Sequence, residues 1–207
     1  MALMTITAMD CYLRPGEAVG LSPSCVVPAT PRLGAAYRFA ALLVHPSWDG
    51  RPSKVGQFDE SLLLDTPGRE WLGAALCKLK CEREGSTTLF GYGLQEWSRI
   101  FHECARELGA PEEPLYVLRH TGASDDYLRK ARRLPDIKKR GRWADDRSVR
   151  RYEKSARALY GGSLLQPSLQ EHALQCESAL QGVLTNGSRA PLWAGVRGTG
   201  QLKRKRG

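Results

Sequence analysis

The chain has 207 residues, a length that suits one ordinary domain with appendages. Hydrophobic residues make up 42% of it, which is enough for a core. No apolar run reaches the roughly eighteen residues of a membrane-spanning helix, and no charged segment followed by an apolar block marks a secretory signal. The six scattered cysteines are therefore expected to be reduced intracellular thiols.

The net charge of +9 is unevenly distributed along the chain. Residues 1–118 hold 11 lysines and arginines against 14 acidic residues, whereas residues 119–157 hold 14 against six. A basic segment on a slightly acidic body predicts a polyanionic partner bound to one face. Charge alone would fit a solvated helix surface equally well.

The first twenty residues predict a helix with a break. The segment "TITAMDCYL" is apolar at helical spacing, Pro15 and Gly16 interrupt it, and "EAVGL" continues it. Proline is favoured at the first positions of a helix, so two short helices are expected to meet near Arg14.

An antiparallel hairpin is predicted next. Residues 36–45 and 58–65 are rich in strand-forming residues, and residues 46–53 between them are dense in turn formers. This pattern places Lys54 near the turn of the hairpin.

Two amphipathic helices follow, over residues 69–84 and 94–109. Their apolar residues recur every three or four positions, so Trp97 and Phe101 are expected to lie in the core. The sequence thus predicts a mainly α protein with a small antiparallel β-sheet, an α+β class.

Helices are also predicted in the basic segment. One begins near Leu115, and a short one runs from Pro135 to Gly141, where glycine suits a C-cap. Asp145 or Asp146 can cap a further helix that runs to about Tyr160.

Residues 161–207 read as a C-terminal tail. Residues 168–184 predict one more amphipathic helix, and the chain beyond 185 is expected to be disordered. The basic end "LKRKRG" is either a nuclear-import signal or a solubilising tail.

A zinc site is conceivable from Cys77, Cys81, His102 and Cys104. Their spacing is neither that of a zinc finger nor that of a zinc ribbon, so no metal or other cofactor is predicted.

Tyr152 stands among cations, with Arg150 and Arg151 before it and Lys154 and Arg157 after it. A free phenol has a pKa near 10, and neighbouring cations favour the phenolate, so a nucleophile is one interpretation. A core tyrosine on a basic helix is the other, since helical tyrosines commonly pack inward.

Four segments in chain order resemble the tyrosine recombinases, the phage-integrase type of site-specific recombinase. They are "YLRPGEAVGL", "RPSKVGQFDESLLLD", "LYVLRHTGAS" and "GRWADDRSVRRYEKSA". Trp143 and Tyr152 are nine positions apart, and Arg119 and Tyr152 are 33 apart, intervals that are usual in this family. The resemblance implies a recombinase-like catalytic domain over residues 1–160, with the catalytic set Arg14, Lys54, Tyr116, Arg119, Trp143 and Tyr152.

The resemblance also implies a chemistry. Tyr152 would attack a backbone phosphate and form a 3′-phosphotyrosyl link, with Arg14 and Arg119 holding the non-bridging oxygens. Lys54 would protonate the leaving 5′-hydroxyl, and the Trp143 indole would donate to a phosphate oxygen. The implied partner is double-stranded DNA, with self-association on DNA. No cofactor, no membrane and no small-molecule substrate are expected.

Two departures from the family pattern predict weak activity. Position 116 is tyrosine where the family usually has histidine, and a phenol is a poor proton shuttle at pH 7. His120 is no simple replacement, because one helical step turns it about 100° from Arg119. Arg14 also lies almost at the start, so the family's N-terminal helical clamp domain is expected to be absent from this chain.

Three alternatives remain open at this point. The chain could be a DNA-binding remnant of a mobile-element recombinase without activity, or a type IB topoisomerase, which shares the chemistry. An RNA-binding module is disfavoured because no aromatic-rich strand motif is visible. The expected location is intracellular, and nuclear in a eukaryote.

Overall fold

The computed structural model describes residues 1–50, 58–153 and 155–193. These residues are mainly helical with one small antiparallel sheet, which confirms the predicted α+β class. Lys54 and the basic end of the chain lie outside the described residues. The helices are α1 Ala2–Asp10, α2 Pro15–Gly20, α3 Trp71–Glu82, α4 Leu94–Leu108, α5 Val117–Leu128, α6 Leu134–Gly141, α7 Arg147–Arg150, α8 Ser155–Ser163 and α9 Pro167–Asn186.

The sheet has the order β1–β2–β3, with β1 Val26–Val27, β2 Ala41–Val44 and β3 Glu60–Leu63. Both pairings are antiparallel, and Leu42 lies opposite Leu62 on β3. Strand β2 is shorter than predicted because a 3₁₀ turn, Ala35–Tyr37, occupies its expected start. Strand β1 was not predicted, since two residues carry no readable period.

The corner between α1 and α2 forms as the sequence predicts. Tyr12 adopts a left-handed backbone with φ 48°, and the Leu13 N–H donates to the Ala8 carbonyl over 2.9 Å. Pro15 begins α2, and the Glu17 carboxylate accepts the Arg14 N–H over 2.7 Å. This hydrogen bond satisfies one of the unpaired donors at the helix N-terminus.

Helices α1 and α5 pack closely at Gly122. A Cβ atom there would overlap the Met9 carbonyl oxygen and would meet the Tyr12 ring at 2.9 Å. The absent side chain therefore lets the two backbones approach, and this contact sets the position of Arg119 one turn earlier on α5.

The core consists of two clusters. The larger one lies between the sheet and helices α1, α3 and α4 and includes the fully buried Trp97, as predicted. The smaller one joins Tyr12, Ala123, Ile137, Val149 and Tyr152. Tyr152 is thus a core residue as well as a candidate nucleophile.

Two local predictions in the basic segment were wrong. The helix predicted from Asp145 or Asp146 to Tyr160 is interrupted, because a 3₁₀ turn, Arg151–Glu153, separates α7 from α8. Gly141 is not the left-handed C-cap. Arg142 takes that conformation with φ 55°, and the Trp143 ring packs where a Gly141 side chain would be.

The described helices also bear on two expectations from the sequence. Helix α9 covers the segment predicted over residues 168–184 and ends at Asn186. Within the described ranges, no helix combines the length and the apolar character that crossing a membrane requires.

Replacing Gly122 with alanine is expected to lower the free energy of unfolding by about 1–3 kcal/mol, because α1 and α5 must separate to admit the methyl group. Gly162→Ala is the matched control, since a Cβ on this α8 glycine meets nothing within 4 Å. It should be neutral or stabilising by up to about 1 kcal/mol. Urea unfolding of both variants measures the difference, and equal stabilities would contradict the close packing.

Candidate functional site

Three of the predicted site residues meet although the chain separates them. Arg119 lies on α5, Trp143 follows α6, and Tyr152 lies in the 3₁₀ turn after α7. The Arg119 guanidinium carbon is 4.5 Å from the centre of the Trp143 ring, a cation–π distance. The ring centres of Trp143 and Tyr152 are 5.5 Å apart.

Arg119 is fully buried, although the resemblance gives it the role of binding a phosphate. Its Nη1 donates to the Tyr12 carbonyl over 2.5 Å and its Nη2 to the Gly141 carbonyl, whereas its Nε has no partner among the described residues. Burial, and then the charges of Arg142 and Arg14, lower its pKa to about 10. The guanidinium therefore stays cationic at neutral pH.

The Glu17 carboxylate brings Arg14 into this region. Arg14 Nη1 lies 2.5 Å from Glu17 Oε1, and Arg142 pairs with the other carboxylate oxygen. Arg142 Nε also lies 3.1 Å from Glu60 on β3. One carboxylate thus holds two arginines close enough to Arg119 to lower its pKa.

Burial and ion pairing act in opposite directions on Glu17. Burial alone would raise the pKa of its carboxyl group, but the charge of Arg142 and the hydrogen bonds and charge of Arg14 outweigh it. The net result is a pKa below the usual range, so Glu17 is ionised at neutral pH.

Tyr152 is only 4% exposed, and its hydroxyl oxygen lies 2.7 Å from Nδ1 of His120. Burial raises its pKa to about 12, although Arg151 and Arg119 act in the opposite direction. Arg151 and Arg119 thus act as expected on the phenolate, but they do not lower the pKa of Tyr152 below its ordinary value. Desolvation of the phenol outweighs the cations.

His120 is the site residue that sequence reasoning missed. One helical step does turn it away from Arg119, but that turn directs its ring to Tyr152. The sequence "LRHTG" places a histidine directly after Arg119, but only the fold shows which side chain lies opposite that position of α5. Burial, followed by Arg151 and Arg119, lowers the His120 pKa, so the imidazole is neutral at pH 7.

Tyr116 and Lys54 complete the predicted set. Tyr116 precedes α5, is exposed, and sets its ring edge-on to the His120 ring at 5.0 Å. Lys54 lies outside the described residues.

The basic segment is less basic on its surface than its sequence indicates. Arg132, Arg140 and Arg142 are each at most 10% exposed and pair with carboxylates from elsewhere in the chain or from α5. Among the cations of this segment whose side chains the structure describes, those that are exposed and make no ion pair with another described residue are Lys130, Lys139, Arg147, Arg150 and Arg151.

No cluster of three or more histidine, cysteine or acidic side chains within the described ranges could hold a metal ion. Of the residues considered for zinc, Cys81 and Cys104 are exposed free thiols, and His102 contacts the Glu113 carbonyl. No protein-family model, curated protein or solved structure matches the chain.

Replacing Glu17 with glutamine is expected to destabilise the protein at pH 7 by about 3–5 kcal/mol, because it leaves Arg14 and Arg142 crowded against Arg119 without their shared carboxylate. The folded-state pKa of Glu17 lies below the reference value of 4.5. Its contribution is therefore complete above that value and is lost as the pH falls through the folded-state pKa.

Urea unfolding of wild type and Glu17→Gln between pH 7 and pH 3 measures this dependence. The difference in the free energy of unfolding between wild type and Glu17→Gln should become smaller as the pH approaches 3. Glu112→Gln is the control, because its pair with Arg106 is exposed and should contribute little. If this difference in the free energy of unfolding stays constant with pH, the charge of Glu17 is not the source of the stabilisation.

Proposed function

We propose that this protein breaks and rejoins DNA strands through a 3′-phosphotyrosyl intermediate, as a tyrosine-recombinase-like catalytic domain with Tyr152 as the nucleophile. One observation carries the proposal: Trp143 contacts both Arg119 and Tyr152, although the three residues come from separate elements. Arg14 joins this group through Glu17.

Each residue has a role that its chemistry allows. Attack by the Tyr152 oxygen on phosphorus places negative charge on the non-bridging oxygens, and the fixed cations Arg14 and Arg119 stabilise that charge. The Trp143 indole N–H donates one further hydrogen bond. Breaking the P–O5′ bond requires a proton for the leaving oxygen, which Lys54 supplies in this proposal. Tyr116 acts in this proposal only as a weak proton donor.

The proposal requires the site to open when DNA binds. Arg119 is fully buried, and Tyr152 is nearly so. Tyr152 lies in the 3₁₀ turn Arg151–Glu153, which directly follows α7, and each of these elements is about one helical turn long. Such short elements hold few backbone hydrogen bonds, so little energy is needed to displace them.

Double-stranded DNA is the proposed partner. Arg147, Arg150 and Arg151 lie on α7 and in the turn that carries Tyr152, while Lys139 lies on α6 and Lys130 follows α5, the helices that contact α7 and the turn. These exposed cations would neutralise backbone phosphates. Self-association on DNA, an intracellular setting and, in a eukaryotic cell, a nuclear one belong to the same proposal.

A second candidate function is DNA binding without cleavage. The full burial of Arg119 favours it, because both terminal nitrogens already donate to backbone carbonyls and none faces solvent. In that case the Arg119 cluster would stabilise the fold, and the exposed cations alone would bind DNA.

Tyr152→Phe separates the two candidates. Wild type should form a covalent adduct with a pool of nicked duplexes of randomised sequence, because loss of the short fragment traps the phosphotyrosyl link. The variant should form none, since it lacks the attacking oxygen, and should bind DNA with nearly unchanged affinity. Denaturing gels measure the adduct. No wild-type adduct alongside normal DNA binding would establish the second candidate.

A type IB topoisomerase would also form the adduct. Relaxation of a supercoiled plasmid without exchange between two labelled duplexes identifies that activity. Exchange of strands between the duplexes identifies recombination.

Lys139→Gln combined with Arg150→Gln is expected to weaken DNA binding and to reduce the slope of log affinity against log salt by roughly 1 for each phosphate that is no longer neutralised. The control is Lys78→Gln on α3, an exposed lysine that makes no ion pair with another described residue. Fluorescence anisotropy of a short labelled duplex over a salt series measures both. Equal slopes in all three proteins would exclude these cations from the DNA-binding face.

A further inference from the structure

The Tyr152 hydroxyl has one hydrogen-bond partner among the described side chains, the His120 imidazole. Nδ1 of His120 lies 2.7 Å from the phenolic oxygen, within ordinary hydrogen-bond range. This oxygen is the atom that would attack phosphorus in the proposed function. The residue that touches it therefore contacts the reacting atom itself.

The imidazole of His120 is held between aromatic rings. The Trp143 ring lies nearly parallel to it, with 6.4 Å between ring centres and an interplanar angle of 14°. On another side, Tyr116 meets it edge-on. These contacts restrict rotation of the imidazole, so Nδ1 stays directed at Tyr152.

We propose that His120 accepts the phenol proton of Tyr152 as Tyr152 attacks the scissile phosphate, an inference that rests on the proposed function. The phenol O–H bond breaks and the proton moves to Nδ1, while the oxygen forms its bond to phosphorus and the P–O5′ bond breaks. The leaving 5′-oxygen takes a proton from a separate acid. In the reverse step His120 returns its proton to Tyr152, so no other reactant is consumed.

The other titratable and charged groups around Tyr152 are poorer acceptors. Arg119 on α5 and Arg151 in the 3₁₀ turn are cations, which only donate. Tyr116 is a phenol and has no basic nitrogen to accept the proton. No described carboxylate makes a hydrogen bond to the Tyr152 hydroxyl.

The charge state of His120 agrees with this role. Burial, and then Arg151 and Arg119, lower its pKa below the reference value of 6.5, so the ring is neutral and able to accept at pH 7. The tautomer protonated on Nε2 leaves the Nδ1 lone pair for the phenol. The same two cations would be expected to assist the departure of the proton from Tyr152.

His120→Asn is the informative variant, because an asparagine oxygen can take the position of Nδ1 and accept a hydrogen bond but is not basic enough to take the proton. His120→Ala removes both properties and leaves room for added imidazole. His102→Asn is the matched control, since His102 contacts only the Glu113 carbonyl among described polar groups.

The rate of adduct formation at pH 7, on a nicked duplex recovered from the randomised pool, should fall about a hundredfold or more in His120→Asn and His120→Ala. Added imidazole should restore part of the rate in His120→Ala. His102→Asn should form the adduct at the wild-type rate. The wild-type rate should rise with pH through the His120 pKa and then level off. The His120→Asn rate should instead keep rising towards the Tyr152 pKa of about 12.

A duplex with sulfur in place of the bridging 5′-oxygen identifies the step. A thiolate leaves without a proton, so a loss of rate that persists on this duplex places His120 on the nucleophile side, as proposed. Full recovery of the His120→Asn rate on it would overturn the proposal and make His120 the leaving-group acid. Equal rates for His120→Asn and wild type on both duplexes would overturn it as well.

A measurement without DNA separates failure of this inference from failure of the proposed function. The ¹⁵N chemical shift of His120 Nδ1 in the 207-residue chain should change in Tyr152→Phe. An unchanged shift overturns the His120–Tyr152 contact even if wild type forms the adduct. If the shift changes but wild type forms no adduct on any duplex, the proposed function fails, and the proton-transfer role fails with it.

Discussion

The burial of the Arg119 guanidinium is the constraint on which the rest of the site depends. A buried cation must find hydrogen-bond acceptors, and here the carbonyls of Tyr12 and Gly141 supply them from the end of α1 and the end of α6. One side chain on α5 thereby joins three helices. Trp143 then covers it with its ring, at the position left open by the missing side chain of Gly141.

A network of mostly buried ion pairs lies around Asp10 and Asp126. Asp10, Asp65 and Asp126 pair with arginines from α6 and from the loops before α3 and after α5, which adds long-range restraints to the hydrophobic packing. Buried pairs of this kind contribute little net stability against apolar replacements, but removing one partner is costly. Loss of a single carboxylate from this network is therefore expected to destabilise the fold, and the acidic body of the chain neutralises part of its basic segment.

Two opposing effects determine the chemistry of Tyr152. Burial in the smaller core cluster raises its pKa to about 12, whereas Arg151 and Arg119 favour the phenolate. Because burial prevails, the resting phenol keeps its proton and is shielded from solvent. Under the proposed function, activity then requires both exposure of the turn that carries Tyr152 and a base at its hydroxyl. His120 is already in contact with that oxygen.

The amino-acid sequence by itself determined the α+β class, the break at Arg14 and the long amphipathic helices, because periodicity and caps are local properties. The candidacy of Arg119, Trp143 and Tyr152 came from the resemblance of four segments to the tyrosine recombinases. The sequence missed the two-residue strand β1 and the interruption of the helix around Tyr152, since tertiary packing decides both. It also could not show that much of the basic charge is internal or that His120 meets Tyr152. Burial and partners across the chain set those properties, and only the folded arrangement brings these side chains together.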